Sequence, residues 1–336
     1  MTAENSIQNV FVTGGAGYVG AVLVPKLLET GYRVKVLDWY LYGDEALASS
    51  RTNPALKEIK GDLRDRELLK KELKGMDAVI HLACISNDPS YELDPALGKA
   101  INYDAMLGLV DLAKDAGVKR FVYASSSSVY GLKKETEVTE ELALEPLTDY
   151  SKYKALGEDY LQKKASGDFT VFTLRPATVC GYSPRLRLDL VVNIFANQAL
   201  QNKKITIFGG GQKRPNIHID DMAEIYVQSL KYSSKKIAGK IFNVGHANFS
   251  LKELAEVVKE AVGDPAVEIT AIATEDHRSY HISSEKIRKE LGFEARRGLG
   301  DAVRQLKKAF DARLVSEPLT NEKYYNAKMM QKARLR

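Results

Sequence analysis

The stretch "NVFVTGGAGYVG", ending at Gly20, constrains the fold more than any other part of the chain. A short apolar run stops at glycines, and "YVGAVLVPKLLETG" continues with apolar residues at helical spacing until Gly31 closes it. "YRVKVLD" is then a second strand, ending in Asp38. The rhythm recurs: "MDAVIHLA" is strand-like, "ALGKAINYDAMLGLVDLAKDAG" helix-like with a glycine stop, and "RFVYASS" strand-like. Strands with little polar alternation, separated by helices, predict an α/β fold with a doubly wound parallel sheet covered on both faces. Its binding crevice belongs at the carboxyl ends of the strands. A chain of 336 residues exceeds the size at which one core stops growing, so a smaller second lobe is expected beside the sheet.

Gly14, Gly17 and Gly20 sit in the first strand-to-helix turn. Glycines there let the backbone approach a pyrophosphate, whose charge is met by amide N–H groups and the helix N-terminus. Asp38 closes the next strand, where a carboxylate bonds a ribose 2′-hydroxyl and repels a 2′-phosphate. The pattern therefore predicts NAD rather than NADP. "DYSKYK" supplies Tyr150 and Lys154 four residues apart, which puts a phenol and an ammonium on one helix face, with Thr148 or Asp149 as N-cap.

Composition excludes several classes. Apolar residues make up 44% and charged residues 28%, and no apolar run approaches the ~18 residues of a membrane span. The beginning, "MTAENSIQNVFVTGG", has neither a basic nor an apolar leader region, so no secretory signal and a cytoplasmic location are expected. Cys84 and Cys180 lack metal-ligand spacing and read as small buried thiols, so no metal is expected. The net charge of +5 is concentrated in "NEKYYNAKMMQKARLR", which carries five Lys/Arg against one Glu and leaves +1 for the rest. No nucleic-acid footprint crosses the main body. The tail reads as a packed terminal helix or an oligomer contact.

Together, "TGGAGYVG", "GDLRD", "HLAC", "INYDA", "ASSSSVYG", "YSKYK", "LRPATVCG", "QKRPNIHIDD" and "FNVG" resemble, in order, the extended short-chain dehydrogenase/reductases, in particular the NAD-dependent nucleotide-sugar epimerase/dehydratase group. The resemblance spans nearly the whole chain. It implies a Rossmann-type domain over 1–181 and about 215–245, and a smaller C-terminal α/β nucleotide-sugar domain over 182–214 and 246–336. It further implies that Tyr150 is the acid/base, that Lys154 lowers its pKa and binds the nicotinamide ribose, and that Ser126 completes a triad. Gly14, Gly17, Tyr18, Val19, Asp38, Asp62, Leu63, Leu82, Ala83 and Pro176 would hold the cofactor, with Asn102 behind the active site. Substrate contacts would come from Ser86, Asn87, Asp88, Ser128, Thr178, Arg185, Asn193, Arg214 and Arg278, with Arg187 an alternative to Arg185 and His218 either a ligand or structural. A homodimer through the Tyr150 helix and the helix near Leu107 to Leu112 is implied as well.

The residues after Ser126 bear on the reaction. Sugar 4,6-dehydratases of this family carry an Asp-Glu pair there, and UDP-glucuronate decarboxylases usually a glutamate at the second place. Here Ser127 and Ser128 stand instead. Without those carboxyl groups, water loss and decarboxylation lack an agent, and redox chemistry at C4 remains. The expected function is an NAD-dependent nucleotide-sugar 4-epimerase. A net 4-dehydrogenase or 4-ketoreductase is the alternative, since "SPRLRLD" resembles segments of nucleotide-activated heptose 4-dehydrogenases, and a non-catalytic NAD sensor is a third reading.

Overall fold

The computed structural model describes residues 7–274, 279 and 281–333. Twelve strands are found among them: β1 Asn9–Thr13, β2 Arg33–Asp38, β3 Leu56–Lys60, β4 Ala78–His81, β5 Arg120–Ala124, β6 Thr170–Pro176, β7 Thr178–Cys180, β8 Lys204–Phe208, β9 Lys213–His218, β10 Lys240–Val244, β11 Ala247–Ser250 and β12 Glu268–Ile272. Seven form one sheet in the order β3-β2-β1-β4-β5-β6-β10, with every neighbouring pair parallel. The order reverses between β1 and β4, which is the switch point where a crevice opens in such sheets.

The run "VFV" shows why the sheet is covered twice. Val10 and Val12 pack with Leu23, Val24 and Leu27 of the helix Gly20–Glu29, whereas Phe11 points the other way, into a core with Leu109 and Val110. Alternate residues of one strand feed two apolar layers. A third core, built by the helices Val191–Asn202, Leu251–Val262 and Leu299–Asp311, sits with the β12-β8 pair beside the β11-β9-β7 sheet. Here Ser250 and Glu253 close a capping box, and Gly263 ends the helix at φ +73°.

The long helix expected over "ALGKAINYDAMLGLVDLAKDAG" is not regular. A π-helical turn, Ala100–Ala105, separates Pro95–Lys99 from Met106–Asp115. The widened turn carries Asn102, whose side chain accepts from the Ile85 N–H (2.8 Å) and donates to the Ile85 carbonyl (2.9 Å). It thereby fixes the loop leaving β4.

A buried ion pair ties the Tyr150 helix, Asp149–Lys164, to the sheet. Glu158 of that helix accepts from Arg175 of β6 at 2.6 Å, with both side chains nearly inaccessible to solvent. Arg175 also donates to the Tyr130 hydroxyl (2.7 Å), Tyr130 donates to Asn243 of β10 (2.7 Å), and Ser125 donates to Glu158. Each polar group has a partner, the condition under which a buried pair is tolerated. Replacing Glu158 by Gln leaves the Arg175 charge buried and is expected to cost about 3–5 kcal/mol in urea unfolding. Asp159→Asn, which breaks the exposed pair with Lys163, should cost less than about 1 kcal/mol.

His81, at the end of β4, is buried with its Nδ1 2.7 Å from the Thr13 hydroxyl. Burial, helped by the Lys154 charge, pulls its pKa down to about 3. Between pH 6.5 and 3 the unfolded chain therefore holds a proton that the folded chain lacks, so stability falls as pH drops through that window, by about 1.4 kcal/mol per pH unit. His81→Gln should flatten this acid slope in urea titrations at pH 4, 5 and 6.5.

Candidate active site

The loops leaving β1, β2, β4, β5 and β6 surround a cleft of ≈ 440 Å³. At its base Gly14 takes φ +75°, and a Cβ there would lie 2.6 Å from the Ala83 backbone nitrogen. Only glycine lets the β1 loop pass this close to the β4 loop. A Cβ on Gly17 would stand 3.1 Å from the Gly14 carbonyl, so this face of the turn is bare backbone. Asp38 accepts from the Ala16 N–H (2.9 Å) and the Tyr40 N–H (2.8 Å), which aims its carboxylate into the crevice floor. Burial raises its pKa and the backbone donors oppose that rise. A glycine cradle with an oriented carboxylate one strand away fits a dinucleotide.

The run "ASSSS" resolves into serines with different partners. Ser125 turns inward to Glu158, while Ser126 caps the 3-10 turn Ser127–Tyr130 and its hydroxyl lies 2.8 Å from that of Ser128. Ser151 donates to Ser128 (2.7 Å), and Thr148, the N-cap of the Tyr150 helix, donates to Asp88 (2.7 Å). Tyr150 lines the same cleft as Ser126. Lys154 donates to the Ala124 carbonyl at 2.7 Å, which holds its ammonium 5.9 Å from the Tyr150 ring centroid. Burial pushes the Tyr150 phenol well up, and the nearby Cys84 and Asp88 side chains add to this, whereas the Arg187 charge and the polar Ser126 hydroxyl oppose it. The protein alone therefore holds a phenol, and ionisation calls for a further positive charge in the cleft.

The cleft brings together most of the expected residues. Gly14, Gly17, Tyr18, Val19, Asp38, Leu63, Leu82, Ala83 and Pro176 line it, as do Ser126, Tyr150 and Lys154. Ser86, Asn87, Asp88, Ser128, Thr178, Arg185 and Arg214 line it too. Asn87 adopts φ +76°, a strained conformation for a residue with a side chain, while its Oδ1 accepts from the Ser90 N–H (2.9 Å).

Of the expected residues that are described, Asn193, Asp62 and His218 are not on its wall. Asn193 is fully buried behind it, donating to the Tyr18 hydroxyl (3.1 Å) and the Arg187 carbonyl (2.8 Å), so it supports two lining residues. Asp62 turns aside to Arg64 at 2.7 Å, while its neighbours Gly61 and Leu63 face the cleft. Arg278 lies outside the described residues. His218 is the N-cap of the helix Ile219–Ser229, accepting from Asp220 at 3.0 Å, and stays off the wall.

Sequence reading missed Tyr42, Cys84, Tyr226, Asn326 and Met330, all of which line the cleft. Cys84 is half-buried rather than a core thiol, and only Cys180 is buried. Asn326 and Met330 belong to the helix Asn326–Ala333, in the tail where the basic charge is concentrated. Nothing local marks them as cleft residues, because the rest of the cleft lies far upstream. No group of three or more possible metal ligands occurs among the described residues, and none of their helices is long and apolar enough to cross a membrane.

Comparison with known proteins matches this architecture. The UDP-glucose 4-epimerase of Lactobacillus helveticus is 30% identical over 275 residues, spanning 76% of this chain and 82% of its own. A dTDP-glucose 4,6-dehydratase of Streptomyces venezuelae, crystallised with NAD, has TM-score 0.83 at 27% identity and covers 93% of this chain and 100% of its own. The UDP-glucose 4-epimerase of Thermus thermophilus, in complex with NAD, has TM-score 0.77 at 27% identity over 90% of this chain and 99% of its own. Residues 10–245, which hold the glycine turn, the serine run and the Tyr150 helix, match the NAD dependent epimerase/dehydratase family, and the chain belongs to it.

Proposed function

We propose that the protein is an NAD-dependent nucleotide-sugar 4-epimerase working by transient oxidation at C4. The observation that carries this reading is the convergence of Tyr150, Ser126 and Lys154 in one cleft, with hydroxyls rather than carboxylates at Ser127 and Ser128. Asp88, a carboxylate on the cleft wall, is engaged by Thr148. The relatives named as UDP-glucose 4-epimerases support the reading.

In this mechanism Ser126 holds the sugar O4, and Tyr150, once ionised, accepts the O4 proton. Lys154, anchored on Ala124, keeps a positive charge near the phenolate and so favours it. NAD, which the glycine turn and Asp38 would hold, would supply the positive charge that the phenol lacks and would take up the C4 hydride and return it. When the 4-keto sugar presents its other face, Tyr150 returns the proton to O4 and the epimer results. Ser128 and Ser151 fix the rotamer of Ser126 through their hydroxyl chain.

The substrate is a nucleotide diphosphate sugar, with Arg214 and Arg278 toward its phosphates and Ser86, Asn87 and Asp88 toward the sugar. Residues 1–181 and about 215–245 serve the cofactor, and 182–214 with 246–336 serve the sugar nucleotide. The enzyme works in the cytoplasm as a homodimer through the helices Met106–Asp115 and Asp149–Lys164, the second of which exposes Leu156. Leu156→Glu should convert a dimer to a monomer in size-exclusion chromatography with light scattering, and a wild-type monomer would rule the interface out.

Denaturing the purified protein should release NAD. Incubation with a panel of nucleotide sugars should give 4-epimers without net absorbance at 340 nm, and Tyr150→Phe should lower that rate by about 10²–10⁴-fold. Stoichiometric NADH would point instead to a net 4-dehydrogenase, and an unaffected Tyr150→Phe variant would refute the catalytic reading.

A further inference from the structure

Arg185 is nearly fully buried, yet among the described residues no carboxylate lies within ion-pair distance of it. Its neighbour Arg187 takes the local carboxylate, Asp189, at 2.8 Å. Among the described residues only the Nη2 of Arg185 has a hydrogen-bond partner, the side-chain carbonyl of Asn326, while Nε and Nη1 have none. Burial, with Arg187 adding to it, brings the Arg185 pKa down to about 10. A buried guanidinium with unmatched donors is costly unless an anion completes it.

Its surroundings say which anion. The Arg185 guanidinium carbon sits 3.5 Å from the centroid of the Tyr42 ring, and Tyr42 is in the loop that leaves β2 just after Asp38. Its charge is also felt by Asp38. Arg185 thus stands on the cofactor side of the cleft.

Asn326, which holds Arg185, is anchored at two other points. Its backbone N–H donates to Asp189 (2.9 Å), and its side-chain amide donates to Ser86 (2.9 Å) in the loop leaving β4. Met330, one turn on, packs in the cluster that includes Ile85 and Ile101, against Leu41 and Tyr150. In the sheet β1 lies between β2 and β4. The helix is thus joined to the loops of both strands that flank β1, the strand whose own loop carries Gly14 and Gly17. This helix lies beyond residues 10–245, the part matched by the family pattern.

We infer that Arg185 is a ligand for the pyrophosphate of the dinucleotide, and that the helix Asn326–Ala333 latches the cofactor into the glycine turn by holding Arg185 and the β4 loop together. This rests on the dinucleotide reading above and goes beyond it. Arg185 moves from the sugar nucleotide to the cofactor, and cofactor retention becomes a property of the C-terminal helix. A latch of this kind suits an epimerase, which regenerates its NAD at each turnover and has no need to exchange it.

The test loads the full-length protein with NADH, chases with excess NAD and follows the loss of nicotinamide fluorescence, with UDP affinity measured by calorimetry in parallel. Arg185→Gln should release NADH about 10–100-fold faster, as for loss of a hydrogen-bonded charged group. Asn326→Ala and Met330→Ala should each speed release by a smaller factor, and UDP affinity should change less than about threefold in all of them. Should Arg185→Gln fail to fold, as judged by circular dichroism, Arg185→Lys and Asn326→Ala carry the test. NADH release unchanged in the folded variants overturns the latch. Weakened UDP binding with unchanged release overturns it too, and returns Arg185 to the sugar nucleotide. A wild-type protein that binds no NADH refutes the dinucleotide reading itself, and the latch with it.

Discussion

The buried pair between Glu158 and Arg175 is the interaction on which the geometry of the cleft depends. Glu158 lies two turns beyond Tyr150 on the same helix, and Arg175 belongs to the strand whose end carries Pro176. By also accepting from Ser125, Glu158 fixes the backbone just before Ser126. One carboxylate thus sets the distance between the helix that bears the phenol and ammonium and the loop that bears the hydroxyl. The desolvation cost of the pair is met by Tyr130 and Asn243, which saturate the remaining Arg175 donor and extend the network to the edge of the sheet.

Electrostatics in the cleft favour the protonated form of Tyr150 in the protein alone. Burial and the Asp88 charge both favour the neutral Tyr150 phenol, and Arg187 only partly counters them. Lys154 is held by a backbone carbonyl, so its position does not depend on the ionisation of the tyrosine. A neutral phenol at this position avoids an isolated buried phenolate, which would be a standing cost to the fold.

Much of this was legible in the sequence because it is written in local pattern. Gly14, Gly17 and Asp38 follow from a strand-turn-helix-strand rhythm, and Tyr150 with Lys154 from a spacing of four on a capped helix; all five face the cleft. What escaped was set by three-dimensional packing. Asn193 was expected at the substrate, yet its amide is used up behind the wall on Tyr18 and Arg187, a choice that depends on contacts distant in sequence. Asp62 was expected near the cofactor, but the cation two residues on, Arg64, draws it aside. Asn326 and Met330 sit in a segment whose charge masks a buried amide and thioether, and only the folded chain shows what they touch. The break in the Pro95–Asp115 helix was hidden because "ALGKAINYDAMLGLV" keeps helical apolar spacing across it.

That break matters for how the family can vary. A π turn accommodates an extra residue within an otherwise α-helical path. Loss of one residue between Ala100 and Ala105 would relax the turn to a regular helix and leave the packing of Met106–Asp115 in register, so the core would absorb the change. Asn102 would swing off Ile85, however, and the loop bearing Ser86, Asn87 and Asp88 would lose its fastening. A single-codon deletion in a helix is thus a route by which this cleft-lining loop can be released and reshaped while the scaffold persists.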